Sequence, residues 1–177
     1  IGDYFDIAVT GDIYTLGSWA LDLNSRYKVN YKFNGSFSLT YSNDQTGERG
    51  SSDFFQTKNF AVRWNHSQDS KARPGTTFSA SVNFSSPSNN KYNATSVTEA
   101  LQNQISSSVS YSKNWNGKLN LSVNALHNQN SKDSSYSFTL PNVTFSVNRF
   151  YPFKRKNRVG KERFYEKFSL GYNTALQ

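Results

Sequence analysis

The sequence carries two imidazoles, His66 and His127, and no cysteine, so nucleophilic or metal chemistry would rest on these rings and the carboxylates near them. A hydrolytic site would pair His66 or His127 with Asp69 or Asp133 and would need a positioned serine. No Gly-x-Ser-x-Gly segment singles out one serine among the many, and neither a His-Glu-x-x-His segment nor a cysteine pair offers a zinc site. Catalytic residues, a bound metal and a cofactor are therefore not expected.

Two charged sets remain. The run Lys154-Arg155-Lys156-Asn157-Arg158-Val159-Gly160-Lys161-Glu162-Arg163 is the densest charge in the chain and is flanked by Tyr151, Phe153, Phe164 and Tyr165. Clustered Lys and Arg suit phosphate groups, which makes Lys154, Arg155, Lys156, Arg158, Lys161 and Arg163 candidates for that contact. A solvated loop has the same composition. Basic residues interleaved with aromatics also suit nucleic acid, but no nucleic-acid motif accompanies them and that partner is not expected. The second set is Asp6, Asp12, Asp22, Arg26, Lys28, Lys32 and Arg63, which fall on the polar side of alternating segments. Such a set could handle a charged headgroup, although the interior of any barrel is polar.

The element that must position Asp22, Arg26, Lys28 and Lys32 of the second set is the stretch 18–33, where hydrophobicity alternates for sixteen residues. Trp19, Leu21, Leu23, Tyr27, Val29, Tyr31 and Phe33 share one side, broken only by Ser25. Ala20, Asp22, Asn24, Arg26, Lys28, Asn30 and Lys32 share the other, as a β pleat requires and a helix would not allow. Soluble strands run about five or six residues, whereas tilted membrane-spanning strands need roughly nine to eleven. Similar alternation marks ten expected strands at 3–14, 18–33, 36–42, 58–66, 76–85, 104–114, 118–128, 134–140, 143–151 and 164–173.

Strands joined by a hairpin must present their apolar sets on the same side. Face matching then predicts three-residue loops at 33–35, 115–117 and 15–17, each ending in glycine, and Pro141-Asn142 is the link between the eighth and ninth expected strands. The links after the second, fourth, sixth and eighth strands are short or moderate. Those at 43–57, 86–103 and 152–163 are long, which places the basic run on the long-loop side, and only 15–17 departs from the pattern. The expected fold is all-β, an antiparallel up-and-down transmembrane β-barrel, with residues 1–177 part of a single outer-membrane barrel domain of which these are about ten strands.

Composition agrees with that fold. Aromatics reach 16% while hydrophobic residues total only 35%, too little aliphatic content for a large soluble core but enough for one lipid-facing side with aromatic margins. The mean hydropathy of −0.73 reflects loops and lumen, and no apolar run approaches the roughly twenty residues of a membrane helix. A net charge of +8 points to an anionic partner such as lipid phosphate. The absence of Met and the start at Ile1 suggest a processed or excised piece.

Three segments carry a family resemblance: Val62-Arg63-Trp64-Asn65-His66-Ser67-Gln68-Asp69, Ser79-Ala80-Ser81-Val82-Asn83-Phe84-Ser85, and Tyr151-Pro152-Phe153-Lys154-Arg155-Lys156 through Gly160-Lys161-Glu162-Arg163. They resemble the barrel region of the LptD family (OstA, organic solvent tolerance protein) in its divergent, non-enterobacterial form. The resemblance implies the outer membrane of a Gram-negative bacterium, a barrel of many more strands and a periplasmic jellyroll. It further implies lipopolysaccharide and outer-membrane lipid as partners, together with the plug lipoprotein LptE and other lipopolysaccharide-transport components. In such a protein lipopolysaccharide passes through the polar lumen into the outer leaflet. The chain departs from the family plan in lacking a jellyroll segment, cysteines and, over Tyr172 to Gln177, a terminal aromatic like that of a complete barrel's closing strand. Alternative readings are another outer-membrane barrel, such as a porin or adhesin, and a soluble β-sandwich binding glycan or nucleic acid.

Overall fold

Alternation over long stretches is realised as long main-chain ladders. The computed structural model describes residues 4–89, 93, 97, 101, 103–155, 160, 161 and 163–176. The strands are β1 (Phe5–Ile13), β2 (Trp19–Val29), β3 (Phe33–Thr46), β4 (Phe55–Gln68), β5 (Thr76–Ser85), β6 (Gln104–Trp115), β7 (Leu119–Asn130), β8 (Ser135–Phe150) and β9 (Leu170–Leu176). They form one antiparallel sheet in chain order, and among the described residues β1 and β9 each have a strand neighbour on one side only.

The registers carry the apolar face across the sheet. Val9 faces Leu23, Leu23 faces Leu39, Leu39 faces Val62 and Val62 faces Phe84. One residue away, Asn24 faces Ser38, Ser38 faces Arg63 and Arg63 faces Asn83. The apolar side is largely uncovered, with Val9 62%, Leu21 45% and Phe138 70% exposed, whereas the buried apolar side chains among the described residues are Ala61 and Ala80. An apolar face of this extent needs a non-aqueous neighbour. A sandwich would cover it with a second sheet, but every described strand belongs to this one.

Among the described residues the strand count is nine rather than ten, because the expected strands 134–140 and 143–151 are one strand, β8. The apolar residues change parity between Phe138 and Val143, and a β-bulge meets that change as well as a turn does. Asn124 pairs with Asn142 and Leu126 with Thr139, so Ala125 stands opposite two residues, 140 and 141. Pro141, with no N–H to donate, sits where the ladder is already interrupted.

Two turns move for a related reason. Face matching fixes the odd length of a loop and leaves its position free. The β2–β3 turn is 30–32, with Val29 facing Phe33, Tyr31 at φ 61° and the Lys32 N–H donating to the Val29 carbonyl at 3.0 Å. Gly35 lies within β3, where a Cβ would overlap the ring and hydroxyl of Tyr27 and the Asn65 carbonyl. The β6–β7 turn is 116–118, with Asn116 at φ 50° and Gly117 at φ 70°, the paired left-handed residues that suit strand twist. At the β1–β2 connection Gly17 is left-handed at φ 88°, as expected for 15–17.

Merging two strands reassigns the edges. The three-residue turns 30–32 and 116–118 and the connections 69–75 and 151–169 lie along one edge. The connections 14–18, 47–54, 86–103 and 131–134 lie along the other. Long and short links therefore occur on both edges, and the basic segment emerges beside the tight turns, contrary to the expected sorting. The expected last strand 164–173 is also shortened, because Phe164–Lys167 forms a 3-10 turn in which the Glu166 carboxylate accepts from the Arg163 N–H at 3.1 Å.

Candidate functional site

The polar face gathers six of the seven expected residues. Asp6 faces Arg26 in register, Asp12 faces Ala20, Lys28 faces Asn34, and Arg63 lies between Ser38 and Asn83. Asp22 is held by Thr40, whose hydroxyl donates to Oδ1 at 2.6 Å. Lys32 is the exception, since it belongs to the turn 30–32 and not to a strand face. Four residues separate Asp22 from Arg26, about 13 Å along a strand. The polar face of β2 thus carries an acid toward the 14–18 edge and bases toward the turn edge.

Beyond β2 the face is mostly hydroxyls and amides. One row runs Ser36, Asn65, Ser81 and Ser108 across β3 to β6, and Thr77 and Ser112 share a hydrogen bond of 2.6 Å on the same side. Such short polar side chains leave a wettable surface with few fixed charges.

Ser86, Ser88 and Asn93, in the connection that follows β5, reach this face. Ser42 and Asn59 are fully buried, and both donate to Asp44 Oδ2 at 2.7 Å. Asn93 Nδ2 donates to Ser42 Oγ at 2.7 Å, Ser88 Oγ donates to Asn59 Oδ1, and Ser86 N donates to the Phe60 carbonyl at 2.8 Å. Sequence reasoning missed this cluster, because serine and asparagine recur throughout the chain without a periodic signal. Asp44 was the one available mark, an acid among neutral polar residues.

A second unanticipated feature is a seam between β5 and β6. Their ladder covers only Thr76–Ser81 against Ser108–Lys113. Beyond it Ser107 Oγ accepts from the Asn83 N–H at 2.8 Å and donates to the Asn83 carbonyl at 2.6 Å, while Gln129 Nε2 donates to the Ser85 carbonyl at 2.6 Å. Side chains replace the missing main-chain partners, as buried backbone groups require.

The imidazoles do structural work. His66 Nδ1 is 2.8 Å from Tyr27 Oη, among the rings of Phe33, Trp64 and Phe78. His127 is 7% exposed, 3.3 Å from Ser107 Oγ and 4.6 Å from the Phe138 ring centroid. The acids considered with them have other partners: Asp69 Oδ1 accepts from the Lys71 N–H at 2.8 Å, and Asp133 Oδ2 from Asn130 at 2.9 Å.

Of the basic candidates, Lys154, Arg155, Lys161 and Arg163 are described, and Lys156 and Arg158 lie outside the described residues. Arg155 and Arg163 each donate to Tyr165 Oη at 3.4 Å, and Arg155 Nε is 3.8 Å from the buried Glu166 carboxylate.

A long antiparallel sheet with one uncovered apolar face and one hydroxyl-rich face is the wall of a membrane barrel. Comparison with known families makes it specific, because the family model described as LptD protein matches residues 1–177. The chain belongs to the LptD family. No curated protein and no solved structure matches it. LptD proteins are outer-membrane proteins of Gram-negative bacteria that act in lipopolysaccharide transport and assembly, and the resemblance carried by the three quoted segments is upheld over the whole chain. In this LptD-family chain the apolar face is the one suited to lipid, and the two imidazoles stand among its rings.

Proposed function

We propose that residues 1–177 form part of one outer-membrane barrel domain whose polar face lines a wet path for lipopolysaccharide into the outer leaflet. The observation that supports this reading is the unbroken polar row across strands β2 to β5, Asn24, Ser38, Arg63 and Asn83, opposite an uncovered apolar face. Hydroxyls and amides exchange hydrogen bonds with sugars and water without a strong preferred orientation, which suits passage more than retention. Asp6, Asp12, Asp22, Arg26 and Lys28 supply charge along the first two strands of that path. Lys154, Arg155, Lys161 and Arg163 would meet phosphates at its end. The partners are lipopolysaccharide, the lipoprotein LptE and other components of the transport pathway, which supply the energy.

Photo-crosslinking in living cells tests this. A photoreactive residue at Ser38 or Ser81 should form lipopolysaccharide adducts, and one at the outward Leu39 or Val82 should not. Adducts only at the outward positions, or none at Ser38 and Ser81 while lipopolysaccharide reaches the surface, would reject the polar path.

A further inference from the structure

The two edges of the sheet differ sharply in charge. On the edge with the tight turns, 30–32 contributes Lys32, 69–75 contributes Lys71 and Arg73 against Asp69, and 116–118 contributes Lys118. The connection 151–169 adds Lys154, Arg155, Lys161, Arg163 and Lys167 against one described acid, Glu166, which is itself buried and engaged by Arg155. The described connections of the opposite edge carry Arg49 and Lys132 against Glu48, Asp53 and Asp133.

Aromatic placement gives this asymmetry a direction. Lys113 lies in the outward row between Thr76 and Leu121, and its Nζ stands 4.8 Å from the Trp115 ring centroid. Lys154 Nζ stands 5.3 Å from the Tyr151 ring at the same edge. A cation beside an indole or phenol at the end of an apolar face is the arrangement suited to the headgroup layer, where the ring spans the boundary and the ammonium reaches phosphate. Lys113 faces away from the polar side of the sheet, so a cargo crossing that side would not meet it.

We infer that the turn-bearing edge is a docking surface for the anionic phosphates of lipid headgroups in the surrounding leaflet, held by Lys71, Arg73, Lys113 and Lys118 with Trp115 as the interfacial anchor. The opposite edge, nearly balanced in charge among its described residues, has no such preference. The contact therefore orients the sheet in the membrane. This inference rests on the membrane placement of the apolar face and is independent of what crosses the polar one.

The test uses the full chain in maltoside micelles, with Trp115 kept as the only reporter by Trp19→Phe and Trp64→Phe. The chain is titrated with short-chain phosphatidylglycerol or phosphatidylcholine. Phosphatidylglycerol should bind at least about tenfold more tightly, and the difference should vanish at about 1 M salt, where charges are screened beyond about 3 Å. Lys71→Glu/Arg73→Glu/Lys118→Glu should abolish the preference while Arg49→Glu/Lys132→Glu at the other edge leaves it intact. Should the triple variant fail to fold, Lys118→Glu alone should weaken phosphatidylglycerol binding by about fivefold. Equal affinity for the two lipids, a preference that survives reversal of this edge, or complete competition by inorganic phosphate at millimolar concentration would each overturn the inference. Lipopolysaccharide adducts at Ser38 and Ser81 are scored separately, so failure of this docking and failure of the polar path are distinguishable.

Discussion

The ring of Tyr27 lies across Gly35 on the neighbouring strand, filling the space that any side chain at position 35 would need. Its hydroxyl accepts from Trp64 Nε1 at 2.9 Å and stands 2.8 Å from His66 Nδ1, so the cross-strand pair also anchors β4. Gly35→Ala should destabilise the folded chain by about 1–3 kcal/mol through overlap. In a double-mutant cycle, Tyr27→Ala should relieve the part of that cost the ring imposes and leave the part imposed by the Asn65 carbonyl. Urea unfolding from phospholipid vesicles measures both, and additive losses would show that the ring is not what excludes a side chain at 35.

The facing of β2 is tested by two substitutions three residues apart. Leu21→Arg places a charge on the apolar face and should impair membrane insertion by roughly 2–4 kcal/mol if the site lies near the midplane. Asn24→Arg, on the polar face between Ala8 and Ser38, should be tolerated. The fraction of chain that gains heat-modifiable gel mobility reads the difference.

At the β5–β6 seam one hydroxyl serves both main-chain groups of Asn83. Ser107→Ala should leave both without that partner, cost about 1–3 kcal/mol, and raise amide exchange at Asn83 by at least about tenfold. Ser107→Thr retains the hydroxyl and should keep most of the protection. Hydrogen exchange resolved to the 82–85 segment is the readout.

The bulge opposite Ala125 makes a prediction about length. Pro141→Ala should be nearly neutral, because the ladder is already interrupted there. Deleting residue 141 should be severe: it removes the parity change and turns Tyr136 and Phe138 toward the polar side. Comparing insertion of the two variants separates loss of a residue from loss of a proline.

The inward connection is tested by Asn59→Leu, which removes the amide that bonds Asp44 and accepts from Ser86 and Ser88. Limited proteolysis within 86–103 should speed up by at least about fivefold, with the strand content by circular dichroism unchanged.

Faces were legible in the sequence because a strand has a side-chain period of two, so Trp19, Leu21 and Leu23 identify one side wherever the strand ends. The ends were not legible for the same reason. Alternation is blind to where pairing stops, and Gly35 reads as a turn residue until Tyr27 is seen to lie over it. The parity change at 138–143 was visible, but a turn and a bulge satisfy it equally, and only the partner strand β7 chooses between them. The polar candidates were found because charge on alternate residues is a local pattern. The Ser42, Asn59 and Ser88 cluster depends on Ser88 and Asn93 reaching back to strand residues 29 and 51 positions earlier and leaves no local trace. The basic run announced itself by density, whereas the edge it occupies follows from the strand count.

That count decides how the wall can be completed. In a meander, strands of odd rank all point the same way, so β1 and β9 run in parallel from the basic edge to the opposite one. Two codirectional margins cannot pair as antiparallel neighbours, whatever the curvature of the sheet. Any closed antiparallel cylinder built on these nine strands must recruit an odd number of additional strands. The polypeptide accordingly enters this segment on one side of the bilayer and leaves it on the other, so joining its two margins into a ring takes at least one more crossing.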